Sequence, residues 1–253
     1  VTLQAAFSIL DMGLGTTMNR EMARRVGDKS EAASMRDLTR SLEIIYWCTG
    51  LGIGAIVMLG VPLIAGKWLN ENALSVATVE QTLRLMGLWL LFQWPSSLYT
   101  GGLMGLQRQV AASSVAAGSA ILRAVGAWLV ISQGSPTIQA FFVWQVIVSL
   151  LTTQTLRTLL WRSLPPAPRR PAFSKPLLGE IWRFAAGMTS IAVITVFLTH
   201  LDRALISKML SLKTLGYYTL AVTAGAAVNH ISSPLFNALF PGFSGLVARA
   251  DRD

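Results

Sequence analysis

Long stretches without a single charged side chain most narrow what this chain can fold into. No Asp, Glu, Lys or Arg occurs in 44–66, 85–107, 109–122, 124–156, 184–201 or 214–248. An α-helix rises about 1.5 Å per residue, so about 20 apolar residues cross a hydrocarbon core about 30 Å thick. Six full spans fit, at about 44–65, 84–106, 110–131, 137–160, 183–203 and 216–239. A seventh, about 1–18, reads as the end of a span, because the chain opens at Val1 inside an apolar run. Composition agrees. Hydrophobic residues make up 53% of the 253 positions and charged residues 13%, against about 25% charged in an ordinary soluble domain. The expectation is an all-α polytopic membrane protein with about seven transmembrane helices, truncated at both ends.

The net charge of +9, from 21 basic and 12 acidic residues, suggests nucleic acid at first sight. In a membrane protein it has a plainer origin, since Lys and Arg collect on the cytoplasmic side. Counting alternate connections with their flanking span ends gives 15 basic residues on one side and 5 on the other, with Arg123 left inside a span. The connections 20–41, 107–109, 162–182 and 243–253 are therefore assigned to the cytoplasm. The basic residues sit beside membrane edges without interleaved aromatics, so no nucleic acid is expected as a partner.

Residues 20–43 mix both signs and read as a cytoplasmic helical connector with a solvated face, or as an interaction helix. Gly27-Asp28-Lys29-Ser30 marks a turn there, with Ser30 as the expected cap of a second helix. Between Arg162 and Pro176 five prolines exclude helix and give an extended, semi-rigid linker. The chain accordingly divides into a lobe at 1–161, a Pro/Arg-rich linker at 162–180 and the start of a second lobe at 181–253. Two helical bundles joined in this way suit a transporter whose lobes rock about a central site. Pro95 and Pro234 fall inside spans, as packing kinks or gating hinges. Gly50/Gly54, Gly101/Gly105 and the run Ala111–Ala120 are small enough for close helix approach.

Arg123 is the most informative single residue, because a charge at mid-membrane costs about 2.5–3.5 kcal/mol on insertion scales. Its helical stripe carries Ala116, Ser119, Ala120, Gly126 and Ala127, while Ile121, Leu122, Val125 and Leu129 lie opposite. It is expected to project toward protein or water, as a substrate or gating cation or as half of a structural ion pair. A second cluster is Thr195, Thr199, Asp202 and Arg203, whose spacing puts the threonines and Asp202 on one stripe; an interfacial ion pair is its alternative reading. His200 beside it is a hydrogen-bonded filler or a proton switch. Asp11 interrupts the first partial span and either binds a coupling cation or pairs with a residue such as Arg20. Asn229 and His230 are weaker polar candidates. Cys48 is the single cysteine, so no intrachain disulfide or cysteine-based metal site can form. No catalytic constellation, phosphate-cradling loop or metal-ligand spacing is present, and neither catalysis nor a cofactor is expected.

Three stretches carry a family likeness: Leu10-Asp11-Met12-Gly13-Leu14-Gly15 followed by Asn19-Arg20-Glu21-Met22-Ala23-Arg24; Tyr99-Thr100-Gly101-Gly102-Leu103-Met104-Gly105-Leu106-Gln107-Arg108; and Leu201-Asp202-Arg203 with Leu215-Gly216-Tyr217-Tyr218-Thr219-Leu220-Ala221. In their order and span spacing they resemble the polysaccharide biosynthesis and O-antigen flippases of the multidrug/oligosaccharidyl-lipid/polysaccharide exporter superfamily. The resemblance implies a two-lobed bundle in a bacterial inner membrane. Its central cationic cavity would pass an undecaprenyl-pyrophosphate-linked oligosaccharide outward, with Arg123 and Arg203 as cavity cations. Membrane lipids and polysaccharide polymerase machinery are the further partners it implies. The alternatives are a peptidoglycan-precursor flippase or multidrug/cation antiporter, a membrane-embedded glycan polymerase or ligase, and a non-transporting membrane scaffold.

Overall fold

The computed structural model describes residues 13–26, 28–68, 76–133 and 137–209, with short helical pieces at 217–218, 220–222 and 224–225. Every regular element among them is helical. In chain order they are α1 (Leu14–Arg25), a 3-10 turn at Lys29–Glu31, α2 (Ala32–Trp68), α3 (Val76–Gln93), α4 (Ser96–Gly105), α5 (Gln109–Gln133), α6 (Ile138–Ser163) and α7 (Lys175–Met209). The chain forms two compact units, 1–193 and 194–253, and the account below concerns the first.

Four described helices are long and apolar enough to cross a membrane: Ala32–Val61, Gln109–Ser132, Ile138–Ser163 and Lys175–Thr195. Their outward side chains have no place in water. Leu59 is 78% exposed, Ile56 71% and Ile121 and Trp128 each 64%. Apolar exposure on this scale is natural only against lipid, where helices alone satisfy every backbone group within one segment. The protein is an all-α membrane protein. Of the seven expected spans, the one at about 1–18 is described only from Gly13 onward, and that at 216–239 lies almost wholly outside the described residues.

The span expected at 84–106 is not one helix. It starts at Val76 and is broken at Trp94–Pro95 into α3 and α4. Proline has no N–H to donate and its ring opposes the preceding turn, so an interior proline frees backbone carbonyls. Two of these find hydroxyl donors: Thr153 of α6 donates to the Phe92 carbonyl at 2.7 Å, and Ser96 to that of Gln93 at 2.6 Å. Such replacement donors make a broken helix tolerable at membrane depth.

The connector expected at 20–43 is helical on both sides of a turn, as its residues suggest, but part of its charge is buried. Only residues around 26–31 connect; α2 runs without interruption from Ala32 through the expected boundary near 43. Glu21, Arg25, Asp37 and Glu43 are buried rather than solvated. Asp28, not Ser30, provides the polar anchor of the turn. Its carboxylate accepts from the Ser30 hydroxyl at 2.7 Å and the Ser30 N–H at 2.8 Å, which holds it below the usual carboxylate range. The helix-free part of the linker is shorter than expected, 164–174, because α7 begins at Lys175 with Pro176 in its first turn, where a missing N–H costs nothing.

Small residues decide how closely α1 and α4 pack. A Cβ on Gly101 would run into the Gly15 carbonyl oxygen, and one on Gly105 into that of Asn19. At Gly102 an added Cβ would lie 2.8 Å from Leu160 Cδ1 of α6. Gly13 starts α1 with φ +59°, and a side chain there would also collide with Met188 of α7. Gly50 and Gly54 make only looser contact with Leu91. The Ala111–Ala120 run is mostly exposed, and nothing lies within 4 Å of Gly118. Gly105→Val is expected to cost about 2 kcal/mol or more through overpacking against backbone, whereas Gly118→Val is neutral. Thermal unfolding of the purified protein in detergent checks the difference.

Candidate functional site

The break at Pro95 does more than bend a helix. With the regular turn interrupted, the side chain of Gln93 stands at the end of α3, where its Nε2 donates to Ser96 Oγ at 3.1 Å. Its Oε1 accepts from Ser149 of α6 at 3.1 Å and from the guanidinium of Arg123 on α5. Arg123 also donates to Ser149 Oγ at 3.3 Å. Ser149 is fully buried and Arg123 half-buried. Three helices thus converge on one cation at the break.

Its surroundings are unusual in what they lack. No carboxylate among the described residues pairs with Arg123, and its Nε is buried without a partner. Neutral acceptors offset only part of the cost of a cation at this depth, and such residues mark functional sites by default. The expected orientation of the helix agrees with the structure. Ile121, Leu122, Val125 and Leu129 are all exposed, while Gly126 is closed over by the indole of Trp144, whose Nε1 donates to the Leu122 carbonyl at 3.2 Å.

The other candidates are not brought to this cluster by anything described. Thr199, Asp202 and Arg203 lie on the backbone of α7, but their side chains lie outside the described residues, and so does Asp11 altogether. Thr195 has an interaction of its own. The side chain of His200 lies outside the described residues too, and so do Asn229 and His230 altogether. Among the described residues no three His, Cys, Asp or Glu side chains gather as metal ligands.

A second polar network, unforeseen from the sequence, ties the linker end of the bundle together. Glu43 of α2, 2% exposed, accepts from Tyr99 of α4 at 2.8 Å, from Arg157 of α6 at 2.5 Å and from Arg40 at 3.0 Å. Glu21 and Arg25 pair within α1 at 2.5 Å, and Arg25 also reaches Glu31 at 3.2 Å. Asp37 holds the linker. It pairs with Arg169 and accepts the Ala172 N–H at 2.8 Å, while Ser41 accepts that of Ser174 at 2.9 Å. Arg36 donates to the Pro165 carbonyl at 3.2 Å. The only sequence signals for these partners were acids and a tyrosine beside apolar runs.

Removing one member of a buried pair strands the other, so its cost exceeds the worth of the contact. A double-mutant cycle of Glu43→Gln with Arg157→Gln is expected to give a coupling of about 1 kcal/mol or more in unfolding free energy. Asp37→Asn is expected to free the 164–174 strap, seen as faster limited proteolysis there with the helices left protected.

A family model described as polysaccharide biosynthesis protein matches residues 29–252. No curated protein and no solved structure matches the chain.

Proposed function

The chain belongs to the polysaccharide biosynthesis protein family, and from that premise we propose that it passes a lipid-linked oligosaccharide across the bacterial inner membrane for surface polysaccharide export. The cargo on this reading is carried on undecaprenyl pyrophosphate, and the protein breaks no bond in moving it. The observation that carries the reading is Arg123, a cation on a spanning helix that meets neutral acceptors and no acid among the described residues. A guanidinium of this kind pairs with phosphate or an acidic sugar in forked geometry. Arg157, by contrast, is paired with the buried carboxylate of Glu43.

The proline break supports alternating access. A kinked helix whose freed carbonyls are held by single hydroxyl donors can change its angle by exchanging those donors. Arg123 contacts Gln93 at that break, so a bound anion that draws the guanidinium away also loosens the kink. Asp11, Thr199, Asp202 and Arg203 remain the proposed polar partners of the same path. The connections 20–41, 107–109, 162–182 and 243–253 face the cytoplasm on this reading, beside membrane lipids and the polymerase machinery.

The intact gene is expected to restore surface polysaccharide to a flippase-deficient strain. Arg123→Ala should abolish that restoration at unchanged protein level, Arg123→Lys should keep part of it, and Gln93→Ala should weaken it. Full restoration by Arg123→Ala, scored by surface polysaccharide staining, would overturn the assignment.

A further inference from the structure

A cleft of about 490 Å³ opens where α6 ends, and Arg40, Arg157, Thr158, Trp161, Arg162, Arg170 and Pro171 line it. Four arginines therefore line one space. Among the described residues only Glu43 neutralises any of them, and it is shared between Arg40 at 3.0 Å and Arg157 at 2.5 Å. Arg162 and Arg170 are exposed and enter no ion pair or hydrogen bond among the described residues. Asp37, the other buried acid nearby in sequence, is occupied by Arg169 and the linker backbone. The Arg36 guanidinium lies over the Trp161 ring, 5.7 Å from its centroid, and fixes that ring as part of the wall.

We propose that this cleft binds the phosphate of an anionic phospholipid headgroup, separately from the transported cargo. Its charge suits a phosphate ester, since planar guanidinium groups match phosphate oxygens in pairs. Its position selects lipid over a free anion. Thr158 and Arg162 stand in the last turns of the spanning helix Ile138–Ser163, beside Trp161, an interfacial aromatic. Along the same face, beyond the exposed polar turn at Gln154 and Thr155, come Leu151 and Ile147 at helical spacing, 52% and 43% exposed. A headgroup in the cleft thus leaves its acyl chains lying down an apolar stripe of the same helix. Basic recesses between spanning helices at the membrane surface hold lipid headgroups by this chemistry. The linker supplies Arg170 and Pro171, so the lipid bridges α2, α6 and the strap that precedes α7.

The test uses the intact protein in nanodiscs of phosphatidylcholine doped with phosphatidylglycerol, with co-retained lipid read by native mass spectrometry. Phosphatidylglycerol is expected to be enriched on the wild-type protein. Arg162→Gln with Arg170→Gln should lower that enrichment by about thirtyfold, the scale for two interfacial arginines. Neither residue is paired, so folding is preserved, and a thermal melt verifies it. Arg108→Gln, an exposed arginine of another connection, should change nothing. Equal loss with Arg108→Gln would reduce the effect to general surface charge and overturn the proposal. Undiminished enrichment in the double variant, or displacement of the lipid by millimolar inorganic phosphate, would overturn it as well. Because the readout is lipid retention, it stands or falls independently of any transport assay.

Discussion

The buried carboxylate of Glu43 is the interaction on which the linker end of this bundle depends. One acid, almost wholly removed from solvent, is satisfied by a guanidinium of its own helix, a phenol of α4 and a guanidinium of α6. Burying a charge is tolerable only when its lone pairs are met by donors in good geometry. Meeting them here requires three helices to hold a fixed register, so one side chain sets the relative heights of α2, α4 and α6. Around it the apolar core, with Met18, Leu38, Leu42, Leu98, Leu103 and Leu160 fully buried, gathers at the same end. The opposite reaches of the spans show their apolar surfaces outward.

The Arg123 cluster is built on the contrary plan. At Glu43 charge is met with charge; at Arg123, among the described residues, it is met by a carboxamide and a hydroxyl. Both acceptors owe their availability to the break at Pro95 and to the serine and threonine of α6 that face it. The helix is interrupted where the cation sits, and one of the donors that repair the backbone, Thr153, belongs to the neighbour that also contacts the cation. Flexibility and charge are placed together.

Much of this was legible in the residues. The uncharged stretches gave the spans at 110–131 and 137–160 to within a few residues of α5 and α6, and the prolines located the linker. The outward face of α5 was readable from Ile121, Leu122, Val125 and Leu129. The connector at 20–43 misled because mixed charge ordinarily means water, whereas here Glu21, Arg25, Asp37 and Glu43 neutralise one another or find partners inside the bundle. Hydropathy gave 84–106 as one span, and Pro95 within it marked the kink at which α3 and α4 separate. Gly101 and Gly105 carried the small-residue spacing, yet the identical spacing at Gly50 and Gly54 led to side-chain contact with Leu91 rather than to backbone approach.

Sequence alone determined that this chain lives in a membrane as helices. Transfer of apolar side chains and internal satisfaction of the backbone are local demands, met within each segment whatever its neighbours. Only the tertiary structure decided which charges are spent on architecture and which stay available. Arg157 and Glu43 are 114 positions apart, and nothing in either segment states that the other will stand beside it. Ion pairing depends on distance across helices, and that distance exists only once the helices have packed.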